Sequence, residues 1–292
     1  MIVGVAGASG NVGALVVKRL LARDVATQVI ALSRRRIQYA EVLQRRSTHR
    51  SIDYNDMDSL LAAFSGLDTL VFPGSDGDPK EMLLHHRNVV TAASKSHIRH
   101  VVYLSTQSPT SESPFPYSRV HHATEELFQS SGAVVTVLRA SIFSEFFIQS
   151  FVQPALLQGV LSLPTPSGSV AFVSRVDAAA ALAGAVFLEH ESSISDVTGP
   201  ESINMDHVVA LASTAVSTEL RFEAITEQLY RANLAQSHYS PWLIEAFATM
   251  MSFSIPNQCF RNVSSDVLRL TGSEPRSFRD VLYSTLNQRP LS

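Results

Sequence analysis

Seven residues near the start of the chain, Gly7-Ala8-Ser9-Gly10-Asn11-Val12-Gly13, constrain its fold more than any other segment. They follow directly on an apolar run, Ile2–Ala6, whose β-branched residues favour a strand. They lead directly into helical periodicity, predicted over residues 11–23. At a strand-to-helix junction, glycines spaced G-x-x-G-x-x-G permit a tight turn and let main-chain N–H groups approach a pyrophosphate. They also let the helix close on its sheet. The positive end of the helix dipole favours the phosphates. The expectation is a dinucleotide-binding βαβ unit, with Gly7, Ser9, Gly10, Asn11, Val12 and Gly13 at the cofactor.

The rest of the first half repeats that unit. Apolar runs at Gln28–Leu32, near residues 51–52, at Thr69–Phe72, at 100–105 and at 134–138 alternate with helical patterns at 56–65, 80–97 and 116–131. Continuous Val/Ile/Leu runs suit strands buried on both faces, so the predicted class is α/β, a Rossmann doubly wound parallel sheet. Asn55 or Asp56 is suited to cap the 56–65 helix, and Asp78 with Pro79 to start the next. Past residue 140 the regularity falls away, and prolines such as Pro154, Pro164, Pro200 and Pro256 punctuate short elements. This predicts an NADP-binding Rossmann domain over 1–150. A smaller C-terminal α/β substrate lobe follows over 151–292, interleaved with the last Rossmann elements. Arg175-Val176-Asp177 reads as a helix start with its acid at the positive end of the dipole, and 177–188 as packing back on the nucleotide domain.

Composition narrows the functions. Of 292 residues 45% are hydrophobic, and the net charge is −3, with basic residues scattered, so neither nucleic acid nor a membrane surface is an expected partner. The single cysteine, Cys259, allows no intramolecular disulfide, Cys-based zinc site or CxxC pair. His85 and His86 are neighbours on a helix and cannot both face one ion, so no metal is expected. The chain opens directly on a strand and has no apolar run of membrane-spanning length, which suggests a cytoplasmic protein.

The second strand ends in Leu32-Ser33-Arg34-Arg35-Arg36. An NAD site would present a carboxylate there to the ribose 2′-hydroxyl. Arginine instead offers a planar fork of donors for a 2′-phosphate, which predicts NADPH, held by Arg34 and Arg35 with Ser33 assisting. The plainer alternative for each arginine is a solvated basic helix start. Asp53 and Tyr54 follow the third strand where side chains border an adenine. At the carboxyl ends of the later strands, Pro73, Gly74, Ser75, Leu104, Ser105, Ser141 and Phe143 complete the expected cofactor lining, together with His121.

The markers together resemble the NmrA-like branch of the atypical short-chain dehydrogenase/reductases, and within it the triphenylmethane reductase and type 2 NAD(P)H:quinone oxidoreductase groups. They are the glycine turn, Ser33-Arg34-Arg35, Asp53-Tyr54, Arg87-Asn88-Val89-Val90-x-Ala92-Ala93 and Arg99-His100-Val101-Val102-Tyr103-Leu104-Ser105. Val120-His121-His122-Ala123-Thr124-Glu125, Thr136-Val137-Leu138-Arg139 and Arg175-x-Asp177 follow in order. The resemblance implies NADPH and a compact pocket between sheet and C-terminal lobe. Its implied partner is a small aromatic or quinone-like substrate; some members instead sense NADP(H) and regulate a protein partner. Residue 121 is His where many members carry Lys, and Phe146 stands where the quinone oxidoreductases carry Asn.

Ordinary short-chain reductases use Tyr-x-x-x-Lys on one helix face; here the same spacing reads Tyr117-Ser118-Arg119-Val120-His121. His121, Tyr117 and Ser105 are therefore the catalytic candidates, with Thr106, Phe146 and Phe147 as the substrate pocket. The plainer alternatives are that Tyr117 packs on Pro114-Phe115-Pro116, that His121 is a satisfied buried histidine, and that the phenylalanines are core. Two functions fit: an NADPH-dependent reductase of flat electron-poor substrates, or a non-catalytic NADP(H)-sensing regulator. A sugar-nucleotide epimerase is disfavoured because the Tyr–Lys pair is not intact. A monomer or homodimer is expected.

Overall fold

The apolar runs pair side by side into one parallel sheet, in a computed structural model that describes residues 1–23, 27–35, 47–188 and 191–287. Its strands are β1 (Ile2–Ala6), β2 (Gln28–Leu32), β3 (Ser47–Arg50), β4 (Thr69–Phe72), β5 (His100–Thr106) and β6 (Val134–Ala140). β7 (Val160–Leu163) lies apart, and β8 (Ser193–Val197) is the seventh strand of the sheet. The order is β3-β2-β1-β4-β5-β6-β8, every pair parallel. This is a Rossmann arrangement, and the order reverses between β1 and β4, the switch point where such sheets bind ligands beyond their strand ends.

Helices cover both faces. They are α1 (Gly13–Arg23), α2 (Met57–Phe64), α3 (Pro79–Lys95) and α4 (Pro116–Gln129), then α5 (Ser144–Phe147), α6 (Gln153–Gln158) and α7 (Arg175–Ala185). The last five are α8 (Met205–Val216), α9 (Glu227–Gln236), α10 (Pro241–Thr249), α11 (Asp266–Thr271) and α12 (Phe278–Asn287). On one face Val16, Val17 and Leu20 of α1 share a core with Ala178, Ala181 and Leu182 of α7 and Val267 and Leu270 of α11. On the other, Leu60, Phe64, Val89, Val90 and Phe128 bury β4 and β5 from α2, α3 and α4. Asp56 caps α2 by accepting from the N–H groups of Asp58 and Ser59, and Asp78 caps α3 ahead of Pro79.

The chain beyond residue 150 supplies part of this sheet layer. The Ala-rich run forms α7 against α1, and β8 pairs with β6 from Thr136↔Ser193 to Ala140↔Val197. Sequence periodicity predicts no strand at β8, whose Ser-Ile-Ser-Asp-Val lacks a continuous apolar run. Asp177 is bound to Ser174 Oγ at 2.7 Å and accepts from Arg276 N at 2.9 Å, so the helix start also anchors the C-terminal segment. The remainder builds a second core around Phe147, Phe151, Phe172, Phe247 and Phe278, beside the small parallel pair β7 and β9 (Arg221–Ala224). Two π-helical turns, Ile148–Val152 and Met250–Ser254, precede Pro154 and Pro256, whose missing N–H interrupts the helical ladder.

α7 and α11 approach so closely that a Cβ on Gly184 would overlap the Leu270 carbonyl. Gly184→Ala is therefore expected to destabilise the fold by about 1–3 kcal/mol, the usual range for overpacking. The midpoint of chemical denaturation checks this, and an unchanged midpoint would mean that the helices separate at no cost.

Candidate cofactor and substrate site

The glycine turn forms a cradle that only glycine can line. Gly7 has φ 62°, and a Cβ on Gly13 would overlap the Gly7 carbonyl, so α1 starts directly against the end of β1. Gly10 N donates to Gly7 O at 2.8 Å, and Ala8 N donates to Leu32 O at 3.1 Å, which ties the turn to the end of β2. Ser9, Gly10 and Asn11 are exposed at the rim, Val12 is half-buried and Gly13 is buried. The first-turn N–H groups of α1 lack acceptors within the helix and carry its positive dipole end, which fits a pyrophosphate.

At the end of β2, Ser33 is buried and donates to Arg35 O at 2.7 Å, while His49 Nε2 lies 3.0 Å from Ser33 O. This turn leaves Arg34 and Arg35 exposed beside the cradle; Arg36 lies outside the described residues. Tyr54 reaches the same place. Its buried hydroxyl lies against Gly7, and Asn88 Nδ2 holds its carbonyl at 2.8 Å. Burial raises the phenol far above its ordinary value, against the opposing charge of Arg34. A buried hydroxyl at a glycine cradle, with two exposed arginines beside it, fits a phosphate-bearing dinucleotide. Asp53 is exposed and accepts from Asn55 N at 2.9 Å, holding the turn that delivers Tyr54.

After β4 the chain passes Pro73, Gly74 (φ 89°) and Ser75, all half-buried, and the buried Ser75 hydroxyl has no hydrogen-bond partner among the described residues. Ser75 N donates to Nε2 of buried His86 at 3.1 Å. His86 Nδ1 lies 2.8 Å from Thr124 Oγ1, which itself donates to Val120 O at 2.7 Å. Burial, with smaller contributions from His121 and His85, holds His86 well below the usual imidazole value.

α4 organises the far end of the crevice through one face, where residues four apart line up. Tyr117 Oη donates to Gly77 O at 3.0 Å. One turn on, His121 Nδ1 lies 2.6 Å from the phenol of Tyr103 on β5. One turn further, buried Glu125 accepts from Ser105 Oγ at 2.6 Å and from Arg139 on β6 at 3.1 and 2.6 Å. Burial lowers the His121 imidazole to about 4, so it is neutral at pH 7. Tyr117 is pushed upward by burial and then by Asp76 and Asp78.

The substrate end is aromatic. Phe143, half-buried, packs against the core shared by α1, α7 and α11, with the Arg175 guanidinium 5.9 Å from its ring centroid. Phe146 is half-buried between Phe151 and Phe247, and Thr106 is half-buried at the end of β5. Leu104 is buried in the sheet core, and buried Ser141 donates to Phe260 O at 3.5 Å.

Known proteins share this framework. The family described as NAD(P)H-binding matches residues 7–189. Quinone oxidoreductase 2 of Escherichia coli strain K12 is 26% identical over 253 residues, 86% of this chain and 86% of that protein. An NmrA-like family domain-containing oxidoreductase of Aspergillus flavus is 28% identical over 229 residues, 75% of this chain and 73% of the other. The chain belongs to the NAD(P)H-binding, NmrA-like family. The crystal structure of Citrobacter sp. triphenylmethane reductase complexed with NADP(H) superposes with TM-score 0.86 at 25% identity, over 97% of this chain and 99% of that one.

In this NmrA-like chain three sequence expectations meet an obstacle of geometry. Phe147 is fully buried, packed on Phe151, Phe172 and Phe278, and is core rather than pocket wall. Ser105 is 3% exposed and gives its proton to Glu125 rather than to an incoming oxygen. The Tyr117 proton is committed to Gly77 O, so the phenol fastens the loop after β4 to α4. Tyr103, His86, Asn88, Glu125 and Arg139 carry no role in the sequence reading, although each lies in one of the family-like motif segments, apart from His86, which immediately precedes one. The available signal was spacing: 117, 121 and 125 share a helix face, and Arg139 faces them from β6.

Two measurements probe these groups. Glu125→Ala leaves Arg139 without its partner, so a loss of about 3 kcal/mol is expected in chemical denaturation, the lower end for a buried pair because the Arg139 side chain keeps 29% exposure. A loss near zero would show water replacing the carboxylate. For pH, an imidazole lowered from 6.5 to about 4 binds fewer protons folded than unfolded between those values. Stability is therefore expected to fall as pH drops through that window. His121→Gln should flatten the slope of Tm against pH there, and an unaltered slope would count against a buried neutral His121.

Proposed function

We propose that the chain is an NADPH-dependent reductase that passes hydride to a flat, electron-poor acceptor, a quinone or a triarylmethane dye. The observation that carries this is likeness along the whole chain to a dye reductase complexed with NADP(H), at 25% identity over 97% of the chain. A quinone oxidoreductase related over 86% of both chains supports the same chemistry. NADPH supplies the hydride when bound, and the protein aligns and desolvates the partners.

The residues divide the work along the crevice. The N–H groups of the 7–13 turn other than those of Ala8 and Gly10 take the pyrophosphate, Arg34 and Arg35 the 2′-phosphate, and Asp53 with Tyr54 the adenine side. Pro73, Gly74 and Ser75 wall the middle, where the orphaned Ser75 hydroxyl gains a partner. Leu104, Ser105 and Ser141 form the floor beneath the nicotinamide half, Phe143 borders it, and Thr106 and Phe146 meet the acceptor with the lobe beyond residue 150. His121 hydrogen-bonds the nicotinamide ribose or the acceptor. It acts as a neutral donor, whereas a lysine would bring a fixed charge. The lone Cys259 suits a reducing compartment, the cytoplasm, and among the described residues no helix is long and apolar enough to cross a membrane.

NADPH oxidation in the presence of simple quinones and triarylmethane dyes tests the proposal; turnover with at least one class is expected, and none across a broad panel would sink it. NADPH binding without turnover would return the chain to the sensor reading. Arg34→Ala with Arg35→Ala removes two charge-assisted hydrogen bonds to the 2′-phosphate. The double variant is expected to raise Kd for NADPH by about tenfold to a hundredfold, with little change for NADH. Equal weakening of both cofactors would remove the arginines from the 2′-phosphate.

A further inference from the structure

Tyr103 has no part in holding the cofactor or the acceptor, yet it makes the only hydrogen bond found for His121 among the described residues. Its ring is fully buried between β5 and α4, stacked on Phe72 with centroids 5.7 Å apart and closed in by Phe128 at 5.3 Å. A phenol proton in such a place needs an acceptor, because leaving it unpaired forfeits its solvation. Two polar side chains lie beside it, His121 and Thr124. The partners around them settle where each proton sits.

His86 Nε2 accepts the main-chain N–H of Ser75, so its ring proton is on Nδ1 and is donated to Thr124 Oγ1. Thr124 sends its own proton to Val120 O. It has no proton for Tyr103, and its oxygen is already accepting. His121 Nδ1, 2.6 Å from the phenol oxygen, is the stronger acceptor left. A proton on Nδ1 instead would leave the phenol only the second lone pair of Thr124 Oγ1, a weaker acceptor that already takes the His86 proton. The imidazole proton is thereby driven to Nε2, and Nε2 is the ring nitrogen not consumed within the protein. His121 is half-buried as a residue, on the helix face whose preceding turn, through Tyr117, holds the loop after β4.

We infer that Tyr103 is a positioning residue: its phenol donates to Nδ1 of His121, fixing the imidazole as the Nε2–H tautomer and presenting Nε2–H as a neutral donor at the nicotinamide end of the crevice. The arrangement orients His121 but does not feed it protons. The neighbouring chain through His86 and Thr124 ends on a main-chain N–H at one side and on the Val120 carbonyl at the other, and neither passes a proton to solvent. Donation of a hydrogen bond moves no electrons, so the step needs no further reactant. The inference rests on the reductase reading for its kinetic arm alone.

The test begins on the free full chain, labelled with 15N in histidine, with His121 assigned by its loss in His121→Gln. At neutral pH the His121 pattern should show a proton on Nε2 and an acceptor Nδ1. In Tyr103→Phe the signals should move to a mixture of tautomers. With NADPH and a quinone, Tyr103→Phe should lower kcat about threefold to tenfold, the range for one hydrogen bond, while Kd for NADPH stays within about twofold. Gln places a donor where Nε2 stands, and Asn places one where Nδ1 stands, so His121→Gln should keep more activity than His121→Asn. Adding Tyr103→Phe to His121→Gln should cost little further. A wild-type proton on Nδ1 overturns the inference, as do an unchanged tautomer and rate in Tyr103→Phe. If Tyr103→Phe does not fold, the wild-type tautomer and the Gln-against-Asn comparison still decide. If the wild type reduces no acceptor, the reductase reading fails, and the tautomer measurement judges Tyr103 by itself.

Discussion

The site depends on a buried carboxylate. Glu125 lies in the interior on α4 and is tolerated there because Arg139 meets both of its oxygens and Ser105 donates a third hydrogen bond. Those three residues come from α4, β6 and β5, so satisfying one charge fixes the helix against two neighbouring strands in rotation as well as height. Once Glu125 is seated, the 3.6-residue repeat leaves no freedom for Thr124, His121 and Tyr117. Each arrives at a partner on a different element: His86 on α3, Tyr103 on β5, and Gly77 in the loop after β4. A stability device and a site-building device are here the same interaction. The desolvated pair contributes little net stability compared with an apolar substitute, but it admits only one register of helix on sheet.

The glycine cradle works by the opposite logic, from the absence of side chains. α1 can start against β1 because Gly13 carries nothing to collide with the Gly7 carbonyl. The same closeness carries the positive end of the α1 dipole to the crevice and lets Tyr54 reach the turn from beyond β3. The two devices lie on opposite sides of the switch point between β1 and β4. The loop from Pro73 to Asp78 spans them, bound at Ser75 by His86 and at Gly77 by Tyr117.

How far this was legible in the sequence follows from how local each determinant is. The glycine turn and the Asp caps are decided by a few adjacent residues, so their geometry could be read directly. β8 could not, because Ser193–Val197 takes its place through pairing with β6 and not through its own apolar content. Ser105 carried the right residue type at the right strand end, but its proton was claimed by a glutamate 20 residues away. Phe147 and Phe146 are neighbours in the chain, and only the packing of Phe172 and Phe278 shows which is core. Tyr103 was hidden for the reverse reason: inside a run of Val-Val-Tyr-Leu it reads as one more buried strand residue, and its hydroxyl has meaning only once α4 brings His121 over it.

Replacing the lysine of the ordinary short-chain motif by histidine alters the charge of the site as well as one of its hydrogen bonds. A lysine four residues after the tyrosine keeps a cation near the nicotinamide, lowers the tyrosine's pKa and prepares it to donate a proton. In this chain the imidazole is neutral, and Tyr117, pushed upward by burial and two aspartates, has its proton fastened to a carbonyl. The acid apparatus of the ordinary motif is therefore dismantled, while a hydrogen-bond donor remains in its place. Chemistry that needs hydride but no strong protein acid is what such a site can serve. A dye cation, neutralised by hydride alone, meets that condition fully, and without a lysine nearby it meets no like charge on approach. A quinone meets it when its second requirement, the proton, comes from water after the hydride has arrived.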